Sequence, residues 1–452
     1  MRPGRTPGLI AAPGACSTLF VALVISRRLQ VATGQVTVAL VATLDTKGPE
    51  AALFADLIRA RGAAVRVYDT GIRPRADPVV QSDVSNDAIA RSGGMTIEEV
   101  RALGSRGEAI AAMACGLSHL LPEDYSRGLF DRAVVIGGLN GAVLGAFGLQ
   151  QLPFGVPKLI VTPVASGTRQ FAPFVGTSDI AIMHSVVDLQ GVNSFTTEVL
   201  SHAASYMTGP DVATLAVPKE HGGIAITMNG NTTPVGMMIL SELDGRGWDV
   251  VAFHSNGVGG SAMERLAGEG RFIAVIDLTT NEIVDRELGG VYPGPPSRMR
   301  ALADSGLPMV FVPGCVDFIN QNPALVPADR KRTRHSPGLD LVRVTAKEGE
   351  RIARIFAESV NLHSGPVEVV APTRGFSPSA ADDGPLADPA ADEIFLSTLT
   401  SGLDARIRLT RVDTPINDPA VARAVLDAVD RVLARSADRA VSPTTEGAPH
   451  VS

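Results

Sequence analysis

Cysteine is scarce: Cys16, Cys115 and Cys315 are the only three in 452 residues. So few and so widely spaced, they form neither a disulfide framework nor a zinc ligand set. The expectation is a reducing compartment and a cytoplasmic protein. A membrane-length apolar run is also missing. Ala15–Ser26 falls short of the roughly 20 residues that a membrane helix needs. With Arg2 and Arg5 ahead of it, the run resembles a signal peptide. Arg27-Arg28 follow directly, however, and no A-x-A cleavage site is evident. Residues 1–35 are expected to be a poorly ordered extension, and no membrane association is expected. Excess positive charge is lacking as well. The net charge of −7 argues against wholesale nucleic-acid binding, while leaving room for a local phosphate site. Finally, several catalytic signatures are absent. There is no Walker A motif, no G-x-S-x-G, no C-x-x-C and no H-E-x-x-H, so an elbow hydrolase, dithiol chemistry and a tight metal site are disfavoured.

What the chain does have is glycine (46) and proline (31) at the ends of short apolar runs. The focal stretch is Arg132–Gly145, RAVVIGGLNGAVLG. Ala133–Ile136 reads as a buried strand. It stops at Gly137-Gly138, and a small, apolar helix starts after Asn140-Gly141. A strand that ends in glycines and feeds a helix can cradle an anion, because glycine lets a ligand approach and the first helical N–H groups point at negative charge. A tight turn without a ligand would show the same pattern. Similar junctions elsewhere favour the first reading.

Val36–Thr43 reads as a buried strand that runs into Asp45-Thr46-Lys47-Gly48, with a helix from about Pro49 to Ala60. A second strand, Ala64–Tyr68, completes a βαβ unit. Ile72–Glu99 is expected to be irregular. Further strands end at Ser166-Gly167-Thr168, and a polar turn at Thr177-Ser178 precedes a helix-like stretch with Met183 and His184. A second series then begins. Ile224–Met228 ends at Asn229, Thr232 and Thr233. Asp249–His254 ends at Asn256, Gly257, Gly259 and Gly260. Phe272–Leu278 ends at Thr279, Thr280 and Glu282. The fold class is α/β, with two Rossmann-like domains, mainly parallel sheets and helices on both faces. The expected division is 36–209, a linker at 210–223, 224–437, and a flexible tail at 438–452.

Together, ATLDTKGPE, VIGGLNGA, VPKLIVTPVASG, FVGTSDIAIMHSVVDLQGVN, ITMNGNTTP, FHSNGVGGSAMERL, DLTTNEIVDRELGG and PINDP resemble one uncharacterised family. It includes the ATP-binding amino-terminal region of the tomato mosaic virus resistance protein. The resemblance spans roughly Val36–Arg435, and implies ATP binding by the first domain. One turn departs from the family pattern. Where relatives usually carry a Gly-Gly-Ser-Gly-Gly-Thr-like sequence, this chain has Gly138-Leu139-Asn140-Gly141-Ala142-Val143. The backbone donors remain, but the hydroxyls are gone.

The candidate nucleotide site is therefore Asp45, Thr46, Lys47, Gly137, Gly138, Asn140, Gly141, Ser166, Gly167, Thr168 and Thr177. Lys47 could meet phosphate as a point charge, and Asp45 could hold Mg²⁺ through water; equally, Asp45 could cap the helix while Lys47 is solvated. In the second half, His254 could act as acid or base, with Asp277 or Glu282 orienting it or binding a metal. Asn229, Thr232, Thr233, Asn256, Gly257, Gly259 and Gly260 would line that second pocket. Asp317, Asn320 and His335 are further candidates. Two functions stay open: a nucleotide-binding protein acting through assembly, or an enzyme acting on a small acidic or carbonyl metabolite. A homodimer or higher homo-oligomer is expected on base rates and from the family resemblance.

Overall fold

A computed structural model describes residues 35–74, 79–165, 172–209 and 222–441. They fall into two compact units that meet in sequence between residues 209 and 222. The extension before residue 35, the turn Ser166-Gly167-Thr168, most of the linker and the end of the tail lie outside the described residues.

The first unit holds five parallel strands: β1 (Thr37–Ala42), β2 (Ala64–Asp69), β3 (Arg132–Ile136), β4 (Lys158–Thr162) and β5 (Ala181–His184). Their order is β2-β1-β3-β4-β5. Both faces are buried, as continuous apolar strands require. Ala39, Val41, Ala133, Val135 and Ile160 pack on one face, with apolar residues of the helices Arg106–Ser126 and Leu139–Leu149. Val38, Leu40, Val134, Ile136 and Val161 pack on the other, with residues of the helices Leu44–Arg59 and Ser194–Thr208. Gly145 sets the approach of one helix: a Cβ there would lie 2.5 Å from the Val135 side chain.

The second unit repeats the winding with six parallel strands. These are β6 (Gly223–Met228), β7 (Asp249–His254), β8 (Ala274–Thr279) and β9 (Met309–Gly314), joined by two strands near the C-terminus. Between them, β10 (Phe318–Gln321), β11 (Arg332–Ser336) and β12 (Leu339–Arg343) form a small antiparallel sheet. The late pair is β13 (Val367–Pro372) and β14 (Arg408–Val412), and the main order is β14-β13-β9-β8-β6-β7. In chain order both sheets run 2-1-3-4-5, the second with one strand more. This is the flavodoxin-like pattern, whose strand order reverses between its first and third strands.

Three sequence expectations change. The stretch with Met183 and His184 is strand β5 rather than a helix, because its backbone is taken up by the ladder with β4 (Leu159 to Ala181 through Thr162 to His184). Ile72–Glu99 is not wholly irregular. It contains the helix Asn86–Ser92 and the start of Ile97–Arg101, whose N-terminus is fixed by a Thr96/Glu99 capping box. The first helix starts at Leu44, not Pro49, and kinks at Lys47 (φ −128°), because Pro49 cannot donate an intrahelical bond.

Candidate functional site

At the reversal point of the first sheet, the chain leaves β1 at Thr43 and leaves β3 at Gly137-Gly138. A cavity of about 510 Å³ opens there. It is lined by Thr43, Asp45, Thr46 and Lys47 after β1, and by Gly138, Leu139, Asn140 and Gly141 after β3. Two separate stretches singled out in the sequence thus meet in one crevice, where open α/β sheets bind ligands. Gly138 is the N-cap of the helix Leu139–Leu149, and no side chain caps it. The first N–H groups of that helix have no intrahelical acceptor and carry the positive end of its dipole.

The far wall comes from the segment expected to be irregular and from the helix after it. Arg73, Arg101, Ser105 and Arg106 line the cavity, with apolar Ile72, Val100, Leu103 and Ile110 between them. Arg101 Nε donates to the Ile72 carbonyl at 2.6 Å, which holds the loop that carries Arg73. Asp45 fixes the same loop, accepting from the Arg73 backbone N–H at 2.9 Å. Neither the Arg73 nor the Arg106 guanidinium finds a partner among the described residues. Lys47 is buried. Its ammonium donates to the Leu189 carbonyl and to Gln190 Oε1, at 3.1 Å for the latter. Two of its three protons are thereby spent on the loop that brings Asp188 to the rim, and one is left. Thr177 and Gly137 do not line the cavity; Gly137 instead packs against the backbone of Gly141 and Ala142.

The matching point of the second sheet is filled. After β6, the Thr232 and Thr279 hydroxyls pair at 2.7 Å, and the Cys315 thiol lies 3.7 Å from Asn229 Oδ1. Thr233 bonds back to the Asn229 carbonyl. Asp277 and Glu282 are fully buried, and both are engaged by the buried Arg298. Its guanidinium makes two 2.7 Å bonds to Asp277, one of 2.6 Å to Glu282 and one of 3.1 Å to Glu264. Glu282 Oε1 also accepts from the Gly257 and Gly260 N–H groups. A Cβ on Gly260 would lie 2.0 Å from Glu282 Oε2, so only glycine fits there. Burial pushes the Glu264 carboxyl up to about 7, against the pull of Arg298. The two carboxylates expected beside His254 are thus bound to Arg298 instead. His254 and Asn256 are exposed at the end of β7, and Gly259 packs on the His254 backbone. Asp317 accepts from the Phe376 N–H, Asn320 bonds Asn281 and Asp285, and His335 is exposed on β11. These residues are not gathered into one site.

Residues 36–214 match the N-terminal domain, and residues 221–433 the C-terminal domain, of the Uncharacterised protein family (UPF0261). The chain belongs to this family. A UPF0261 protein of Mesorhizobium japonicum is 36% identical over 397 residues, covering 86% of this chain and 98% of that protein. A UPF0261 protein of Clostridium tetani is 30% identical over 385 residues, covering 83% and 94%. The ToMV resistance protein Tm-1 of Solanum lycopersicum is 32% identical over 343 residues, covering 73% of this chain but 45% of its own length. Among solved structures, a UDP-N-acetylglucosamine 2-epimerase aligns with 92% of this chain and 100% of its own at 11% identity. Its TM-score of 0.23 carries no argument.

For this UPF0261 chain, sequence reasoning found one wall of the cavity and missed the other. The signal was present. Thr96-x-x-Glu99 and Ser105-x-x-Glu108 are helix starts, and each helix that they open contributes an arginine to the cavity. Among the described residues no helix is long and apolar enough to cross a membrane.

Proposed function

We propose that the first domain binds ATP at the β1/β3 crevice, with the phosphates at the Gly138 helix start and the arginines. The observation that carries this is one cavity holding an uncapped helix N-terminus and two partnerless guanidinium groups at the sheet's reversal point. Backbone N–H groups and arginine forks suit phosphate oxygens. Ile72, Val100, Leu103 and Ile110 offer an apolar slot for a base. Asp45 and Asp188, both on the lining, offer oxygen ligands to the Mg²⁺ that accompanies ATP. The ligand then serves assembly or partner contact rather than chemistry on the second domain, whose buried carboxylates are bound to Arg298.

Titration calorimetry with ATP and Mg²⁺ tests the proposal. Arg106→Ala and Arg101→Ala are each expected to weaken binding by about tenfold or more, the worth of one charge-assisted hydrogen bond. Arg106→Ala is expected to leave the melting temperature unchanged. An absence of binding, or wild-type affinity in both variants, would overturn the reading.

A further inference from the structure

Among the described residues, most sheet edges are blunted. Strand β11 carries Arg332 and Arg334 on its edge, and β14 carries Arg408 and Arg411. Beside β2 the segment at Asp83-Val84 bonds its backbone. Beside β10, Val291 and Asp285 bond the Asn320 backbone. Strand β5 has only four residues. Strand β7 (DVVAFH) has none of these protections. It is six residues long and ends the six-stranded sheet. It carries no lysine, arginine or proline, and its exposure is partial to full along its length. Such an edge is a template for another strand.

The backbone bonds fix which groups face outward. Asp249 N donates to the Gly222 carbonyl and Ser255 N to the Met228 carbonyl. In a parallel ladder, alternate residues turn both backbone groups to the same neighbour. Asp249, Val251, Phe253 and Ser255 therefore face β6, and Val250, Ala252 and His254 face outward. No described residue outside β7 bonds these outward groups.

We infer that the occupant of this edge is a second copy of the chain, paired antiparallel through β7 about a two-fold axis at Ala252. A two-fold normal to the sheet sets each residue k opposite residue k of the copy at the centre. Only a register centred on Ala252 pairs all three outward residues: Ala252 with Ala252, and Val250 with His254, twice. On the other face, Val251 meets Phe253. No like charges stand opposite each other, and the smallest side chain lies on the axis. The same operation on β11 about its middle residue, Arg334, would oppose arginine to arginine. The helix that leads into β7, Thr233–Gly245, adds exposed Met237 and Met238 (49% and 37%) as apolar surface beside the seam.

The test is a charge swap at the axis, read by light scattering on the full chain at tens of micromolar. The wild type is expected to run as a dimer. Ala252→Lys and Ala252→Asp each place like charges opposite one another, and both are expected to run as folded monomers, with circular dichroism unchanged at this exposed position. Mixing the two variants is expected to restore a dimer containing one of each. A monomeric wild type, an assembly that either variant leaves intact, or a mixture that stays monomeric would overturn the inference. These outcomes do not depend on whether ATP binds.

Discussion

Between β1 and β3 of the first sheet the crevice is open and lined with cations; between β6 and β8 of the second, the equivalent place is closed. The winding is the same in both, so topology alone does not make a site. The difference lies in the turns that leave the strands. After β3 an uncapped helix start faces the open cavity, with arginines opposite. On β8 and just after it, the carboxylates of Asp277 and Glu282 turn inward to Arg298, and threonine hydroxyls bond one another. The second edge spends its polar groups on itself, whereas the first leaves the Arg73 and Arg106 guanidinium groups and a helix start facing the cavity.

The contrast breaks most directly at Arg298. Its removal leaves three buried carboxylates without their cation. Breaking a buried ion cluster from one side costs about 3–5 kcal/mol. Arg298→Ala is therefore expected to unfold the second domain, or to lower its unfolding free energy by that amount in denaturant titration, while the first domain keeps its own stability. Arg298→Lys rescues little, because lysine cannot make the paired bonds to Asp277. A second domain of unchanged stability in Arg298→Ala would mean that the carboxylates are free for chemistry, and would reopen the role of His254 as an acid or base.

A smaller effect follows from protonation. The Glu264 carboxyl, at about 7 in the folded protein, binds its proton more tightly than an unfolded glutamate does. Its contribution to stability is fully present below the ordinary glutamate range and is lost as pH rises towards 7. Glu264→Gln keeps an oxygen to accept from Arg298 Nη1 and from the Met299 N–H, now at 3.1 and 2.6 Å. The variant is expected to flatten the decline between pH 5 and 7.5 by on the order of 2 kcal/mol, read from denaturation at several pH values. The slope does not vanish, since burial also raises Asp285 to about 6 and Asp317 to about 7. A slope equal to that of the wild type would place the proton elsewhere in the cluster.

These two regions were not equally legible in the sequence. Asp45–Lys47 and Gly138–Gly141 announce themselves locally, as polar or glycine turns between an apolar run and a helix. The arginine wall was half legible: the apolar run of Gly107–Leu121 reads as a helix, but its Ser105 cap and Arg106, and the short Thr96-capped helix with Arg101, lie in or beside a polar stretch without apolar periodicity. The Arg298 cluster was illegible in principle. Its carboxylates lie 34, 21 and 16 residues away in sequence, and only the fold brings them together. His184 misled for a related reason: an isolated four-residue strand carries too little alternation to be told from a helix.

The finest test lies in the turn Gly138-Leu139-Asn140-Gly141, which lines the cavity. Leu139 stands at the first helical position after Gly138, 39% exposed and on the cavity lining. Leu139→Ser adds a small hydroxyl at the first helical position, beside Asn140. If phosphate sits at this helix start, the added donor tightens ATP binding by a few-fold, about 1 kcal/mol or less. The melting temperature holds, because Leu139 belongs to none of the apolar clusters that pack the sheet. Weaker binding in Leu139→Ser would point the other way. Leucine would then be an apolar contact for the base, and the phosphates would lie across the cavity at Arg101 and Arg106. Calorimetry on Leu139→Ser beside Arg106→Ala distinguishes these two orientations of one ligand in one crevice.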